Sequence, residues 1–154
     1  LWDEGEPKLA FDKAMSLANK TAMSLSDQFC VDRHKNSFLD LVKNKLDITF
    51  ANEQEIKSLI SVTNFDEVVA FGKQLGKSLI ITRGELGSLA IIKGEVFECD
   101  SKKNLKIIDL TGAGDLFAAG FLHGYINEYS IKESLEKGTE MSSKIIQKIG
   151  ARLN

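Results

Sequence analysis

The chain has 154 residues, 43% of them hydrophobic, with 20 Lys and Arg against 22 Asp and Glu. This is enough for one domain with a buried core and excludes a disordered chain, while the near-balance of charge leaves no basic face for a nucleic-acid backbone. The two cysteines, Cys30 and Cys99, have neither CxxC nor Cys/His spacing, and no apolar run approaches the roughly 20 residues of a membrane span; zinc modules, disulfide scaffolds and a membrane partner are excluded, and a reducing, cytoplasmic setting is expected.

Leu1-Trp2-Asp3-Glu4 does not resemble a signal peptide. With no initiator Met and an amphipathic pattern almost at once, the sequence is expected to begin inside a fold. Phe11, Ala14, Met15 and Ala18 stand at helical spacing, and Thr21-Ala22-Met23-Ser24-Leu25 alternates as a short strand does. Ser26 to His34 is polar and predicts a loop after that strand. Ser37 to Lys45 carries Phe38, Leu39, Leu41 and Val42 and predicts a helix leading into the apolar strand Ile48-Thr49-Phe50. Asn52 opens the next helix. Phe65 to Leu75 repeats the helical pattern, and Ser78-Leu79-Ile80-Ile81-Thr82 reads as a buried parallel strand. Ser88 to Ile92 and Glu95 to Glu98, joined through Lys93-Gly94, predict a hairpin at the sheet edge.

Lys106-Ile107-Ile108-Asp109 predicts a last strand, followed by Thr111 to Gly114 and a helix from Asp115 to about Asn127. That helix is apolar on nearly every side and is expected to be central, with His123 packed in the core. Ile131, Leu135, Gly138, Met141, Ile145 and Ile149 trace one apolar stripe along a final surface helix. Alternating strands and helices imply a single α/β domain over residues 1–154 with a mostly parallel sheet flanked by helices.

The strongest chemical signal is Ile108-Asp109-Leu110-Thr111-Gly112-Ala113-Gly114-Asp115, a strand running through small residues into a helix. Small residues admit a ligand close to the backbone, and the free amides of a helix start form an anion site for which phosphate is the natural occupant. The sequence lacks GxxxxGK[ST], and Phe117 stands where a dinucleotide fingerprint requires Gly or Ala. An anion hole at Gly112, Ala113 and Gly114 remains, with the Asp115 carboxylate beside it. A carboxylate there repels the ligand unless it has work to do, such as accepting a proton from an attacking hydroxyl. The competing reading is a plain strand-to-helix turn with Asp115 favouring the helix start.

Asp109-x-Thr111-Gly112-Ala113-Gly114-Asp115 followed by Ala119-Gly120-Phe121 resembles the C-terminal signature of the ribokinase-like (PfkB) kinases. The resemblance implies that this loop holds the γ-phosphate of ATP and that Asp115 is the catalytic base. Leu110 departs from the usual Thr, Ser, Pro or Val at its position. Asn52-Glu53-Gln54-Glu55 is similar to the family's NxxE motif, in which Glu55 would act on Mg²⁺ through water; the same four residues also form a capping-box pattern. Thr82-Arg83-Gly84-Glu85-Leu86-Gly87 is similar to the segment that lines the ATP site, with Thr82, Gly84 and Gly87 as its contacts together with Asn52; the glycines equally suit a turn. Asp109 and Thr111, with Gly150-Ala151, lie where relatives bind a monovalent cation such as K⁺.

The resemblance therefore implies an ATP- and Mg²⁺-dependent kinase acting on a small-molecule alcohol. Ser26 to His34 and Phe50 to Glu53 resemble bacterial adenosine-kinase-like members, which puts adenosine first and ribose, fructose or another sugar next. It also implies that the N-terminal half of the fold and its lid are absent, so that this chain alone is expected to be inactive. A Rossmann-type oxidoreductase and a noncatalytic nucleotide-binding domain stay open as readings, as does a homodimeric assembly. Arg33 and His34 are read first as part of a solvated loop, with a phosphate contact as the alternative, and no chemistry is assigned to His123 or the cysteines.

Overall fold

Two sheet strands are apolar at nearly every position, and each must therefore face a hydrophobic layer on both sides. The computed structural model, which describes residues 5–153, gives them those two layers; Leu1 to Glu4, read above as the start of an interrupted fold, lie outside the described residues. In chain order the elements are α1 (Glu6–Leu17), β1 (Ala22–Ser24), α2 (Gln28–Arg33), α3 (Lys35–Asp40), β2 (Ile48–Asn52), α4 (Glu53–Ile60), α5 (Phe65–Leu75), β3 (Ser78–Thr82), β4 (Ser88–Ile92), β5 (Glu95–Cys99), α6 (Ala113–Ile126) and α7 (Ile131–Ile145). The sheet order is β1-β2-β3-β4-β5. The first three strands are parallel, and the β4-β5 hairpin extends them antiparallel at the edge.

The two-residue period of the strands divides the core. Ile48, Phe50, Ile80 and Ala90 face Phe117, Phe121 and Leu135 of α6 and α7. Ala51, Leu79, Ile81, Leu89 and Ile91 face Val31, Val42, Ile56, Leu59 and Val68 on the other side. Among the described residues no helix is long and apolar enough to cross a membrane.

Four expectations are corrected. The segment from Ser26 to His34 contains a helix, α2, because the Asp27 side chain accepts from the Cys30 amide and caps it. The helix expected over Ser37 to Lys45 does form, as α3 running on into a π-turn over Leu41–Lys45 closed by the Leu46 amide on the Leu41 carbonyl at 2.9 Å. No strand forms at Lys106 to Asp109. The amides of Ile108 and Asp109 instead donate to the Ile146 carbonyl at 2.8 and 3.3 Å, so the segment is tied to the end of α7 and not to a sheet neighbour. For the same reason the last helix ends at Ile145, and Ile149 leaves the apolar stripe to lie 86% exposed.

The fourth correction concerns α6. It buries Phe117, Gly120, Phe121 and Gly124, whereas Ala119, His123 and Ile126 are exposed. Apolar composition all round a helix does not supply a second packing partner. His123 instead lies edge-on to Tyr129 with centroids 6.2 Å apart. On the buried face α6 and α7 approach so closely that a Cβ on Gly120 would lie 2.7 Å from the Lys137 carbonyl oxygen and 2.9 Å from the Gly138 Cα. Backbone cannot yield there as a side chain can. Gly120→Val is expected to lower stability by at least about 1–3 kcal/mol, the usual cost of overpacking, read from chemical denaturation; an unchanged midpoint would contradict this packing.

Candidate active site

Parallel pairing sets Asn52 opposite Thr82 at the carboxyl ends of β2 and β3, the end of an open α/β sheet where ligands bind. Phe50, two residues before Asn52, meets Phe121 edge-on at 5.7 Å, which fixes α6 across those ends and brings its N-terminus to them. One cavity of about 360 Å³ is consequently lined by Asn52, Glu55, Thr82, Gly112, Ala113, Gly114 and Asp115, together with Ser24 and Ser26 of the β1 end. A second cavity of about 620 Å³ adjoins it, sharing Thr82, Leu110, Ala113, Gly114 and Phe117, and takes Gly84 and Gly87 into its wall. Asp109 and Thr111 line neither; they lie behind the loop.

The loop's shape comes from two devices. Gly112 is the N-cap of α6 at φ 78°, a left-handed conformation, and a Cβ there would lie 2.8 Å from that of Ala151. Asp109 then ties the loop together. It accepts from the Thr111 amide at 2.9 Å, the Thr111 hydroxyl at 2.6 Å and, through its other oxygen, the Gly150 amide at 2.8 Å. These donors, the Thr111 hydroxyl foremost, hold the Asp109 carboxyl below the usual carboxylate range.

Gly112 has no side chain to cap α6, and the first intrahelical bond is from Leu116 to the Gly112 carbonyl at 2.9 Å. The Ala113 amide is used at 3.1 Å on the Leu110 carbonyl. Of the Gly112, Ala113 and Gly114 set read from sequence, the Ala113 amide is therefore occupied, while the amides of Gly112, Gly114 and Asp115 donate to no backbone carbonyl among the described residues. Ala113 and Gly112 shape the turn, and Asp115 adds an exposed carboxylate on the same first turn.

At Asn52 the capping box is complete. The Glu55 amide donates to Asn52 Oδ1 at 2.8 Å, and the Glu55 carboxylate accepts from the Asn52 amide at 2.8 Å and Asn52 Nδ2 at 2.7 Å. Glu55 also lines the cavity while remaining only 5% exposed. Burial raises its pKa, the Asn52 amide offsets part of that, and the negative charge of Asp27 adds to the rise. The two roles that the four residues suggested are thus compatible in geometry.

The larger cavity contains residues that sequence reasoning missed. Lys102 to Leu105 form one wall and Thr139, Ser142 and Ser143 of α7 another. The run of small polar residues one helical step from Leu135, Gly138 and Ile145 was the available signal. Arg33 and His34 line neither cavity; His34 packs near Phe38, with ring centroids 6.2 Å apart.

The raised pKa of Glu55 fixes the sign of a pH effect. Its ionised form is disfavoured in the folded state, so stability is greatest below the carboxyl's unfolded pKa and is lost as pH rises through the folded one. Relative to the protein with Glu55, Glu55→Gln is expected to gain stability with increasing pH across that range. Denaturation at pH 4 and pH 7 measures it, and a Glu55→Gln stability that falls relative to the parent's as pH rises would contradict the assignment.

Residues 7–154 match the family described as pfkB family carbohydrate kinase. The chain is similar to a nucleoside kinase of Methanocaldococcus jannaschii, with 29% identity over 78% of this chain and 39% of that protein. It is also similar to a cytidine kinase of Thermococcus kodakarensis, with 31% identity over 75% of this chain and 42% of that protein. Among solved structures, the adenosine kinase of Sinorhizobium meliloti superposes with a TM-score of 0.94 at 36% identity, covering 99% of this chain and 48% of that one. The chain spans about half the length, or less, of these proteins. With nearly every residue inside the matched region and the glycine loop, the Asn52 motif and the Thr82 segment gathered at one end of the sheet, the chain belongs to the PfkB family of carbohydrate kinases.

Proposed function

We propose that this chain is the nucleotide-binding, catalytic portion of an ATP-dependent kinase that transfers the γ-phosphoryl group to a hydroxymethyl group, with adenosine as the first acceptor. The observation that carries the reading is the single cavity lined at once by the α6 mouth, Asp115, Asn52 and Glu55. The larger adjoining cavity has room for the nucleoside of ATP, and the shared wall at Thr82 and Gly114 lets the phosphates pass into the smaller one. Adenosine is placed first because the Sinorhizobium meliloti adenosine kinase resembles the chain over nearly its whole length. A sugar kinase is the second reading, favoured by the fructoselysine 6-kinase of Escherichia coli at 28% identity over 98% of the chain.

In this mechanism the acceptor oxygen attacks the γ-phosphorus, the bond to the β-phosphate oxygen breaks, and the acceptor proton passes to the Asp115 carboxylate. The free amides of Gly112, Gly114 and Asp115 would face the negative charge that grows on the transferred group, and the α6 dipole would add to them. Loss of one such donor from an oxyanion site typically costs ~3 kcal/mol. The small residues Gly112 and Ala113 keep the backbone accessible to that group.

Magnesium fits the donors present. Glu55 is a buried carboxylate with no cation beside it and with lone pairs left over, and no group of three or more metal-ligating side chains occurs among the described residues. Mg²⁺ favours few protein ligands, several waters and substrate phosphates, so Glu55 would reach it through water, oriented by Asn52. When bound, it would neutralise phosphate charge. Three donors take up most of the Asp109 carboxylate, so a monovalent cation such as K⁺ would rest mainly on backbone oxygens around Thr111 and Gly150.

Transfer of labelled γ-phosphoryl from ATP to a panel of adenosine, cytidine, ribose and fructose, assayed with the protein carrying its complete natural sequence, tests the reading. Adenosine is expected to give the highest kcat/KM, and Asp115→Asn to lower the rate ~10²–10⁴-fold with nucleotide affinity within a few-fold. An unaffected rate would remove Asp115 from its role. Turnover of a sugar with none of adenosine would replace the acceptor.

A further inference from the structure

Glu53 and Arg83 stand inside the two motifs without belonging to the residues assigned to either. Glu53 follows Asn52 and precedes Glu55; Arg83 follows Thr82 and precedes Gly84. The two are joined: Arg83 Nε donates to Glu53 Oε2 at 2.8 Å, and the side chains are 22% and 18% exposed. The other Glu53 oxygen accepts from Lys57 Nζ at 2.5 Å. The Lys57 hydrogen bond is the largest influence holding the Glu53 carboxyl below its ordinary range, with Arg83 acting in the same direction. The Arg83 guanidinium in turn lies over the Phe65 ring, 3.7 Å from its centroid.

The backbone of Arg83 shapes the segment beyond it. Its amide donates to the Gly87 carbonyl at 2.8 Å, and its carbonyl accepts from the Leu86 amide at 3.1 Å, which closes the turn from Gly84 to Gly87 on the wall of the larger cavity. One residue thus holds that turn by its backbone and the start of α4 by its side chain. Strand pairing between Asn52 and Thr82 ends where these contacts begin, so beyond the last ladder pair the ion pair is what continues the register. A planar guanidinium suits this task because it can stack on a ring and hydrogen-bond at its edge together, which an ammonium cannot.

We infer that Arg83 is a positioning residue that couples the Asn52–Glu55 segment to the Gly84–Gly87 turn, setting the metal-organising carboxylate against the nucleotide wall. The inference rests on the kinase reading proposed above. Lys57, by contrast, links Glu53 to the next turn of its own helix and lies 6.0 Å from the centroid of the Phe65 ring, so it ties α4 to α5 and not to the Gly84–Gly87 turn.

The test is calorimetric titration of ATP, with and without Mg²⁺, into the complete protein and its Arg83→Met, Arg83→Lys and Lys57→Met variants, alongside KM for ATP and for the acceptor. Residues that support metal ligands from behind typically change affinity ~10–100-fold when removed. Arg83→Met is accordingly expected to weaken ATP binding in Mg²⁺ about tenfold or more, with a smaller loss in its absence, and to leave the acceptor KM within about twofold. Arg83→Lys recovers part of the loss, and Lys57→Met binds as the parent does. Should Arg83→Met fail to fold, Glu53→Gln removes the same link from the other end and is expected to reproduce the Mg²⁺-dependent loss. Parent-like binding by Arg83→Met or by its substitute, or an equal loss in Lys57→Met, overturns the inference alone. A parent protein that binds no ATP overturns the kinase reading and this inference with it.

Discussion

The contact of Phe121 with Phe50 governs this molecule. Phe50 lies on the central parallel strand two residues before Asn52, and Phe121 lies two helical turns beyond the glycine loop, so their edge-on packing sets the α6 mouth over the strand ends. α6 can sit there only because α7 comes in close behind it, at Gly120 and Gly138, and because Leu135 completes the apolar layer. Every group assigned to the site reaches it from an element fixed by this layer or by the parallel ladder. A shift of one residue in the ladder would send Phe50 to the other face and part Asn52 from Thr82.

The carboxylates around the site live under opposite conditions, and the division follows from their neighbours. Asp109 is surrounded by donors that hold it ionised, so it serves as an internal strut between the loop and Gly150. Glu55 is buried with Asp27 near it, and both raise the pKa of its carboxyl. Asp115 stands exposed on the first turn of α6, where it can meet an incoming group. One carboxylate shapes the loop; in the proposed reaction the second would face the cation and the third would take the acceptor's proton.

Much of this was legible in the chain because it is local. The hairpin at Lys93-Gly94, the strands at Ile48 and Ser78, the helix after Asn52 and the glycine loop before α6 are all encoded within a few neighbouring residues. Non-local effects decided the rest. Ile107 and Ile108 look like a strand, but their segment is bound by the end of α7, some forty residues away. The use of the Ala113 amide on Leu110 depends on the curl of a turn that composition does not specify, and it takes one of the expected donors out of use. The exposed outer face of α6 and the α7 wall of the larger cavity depend on which elements meet, which apolar periodicity cannot report.

The central claim is that the amides at the start of α6 receive the terminal phosphate, and amide-resolved NMR of the protein with a nonhydrolysable ATP analogue and Mg²⁺ addresses it directly. The account predicts that the Gly114 and Asp115 resonances move most and become protected from solvent exchange, with smaller changes at Thr82 and Gly84. Saturable binding that leaves Gly114 and Asp115 unmoved while other amides shift would contradict it.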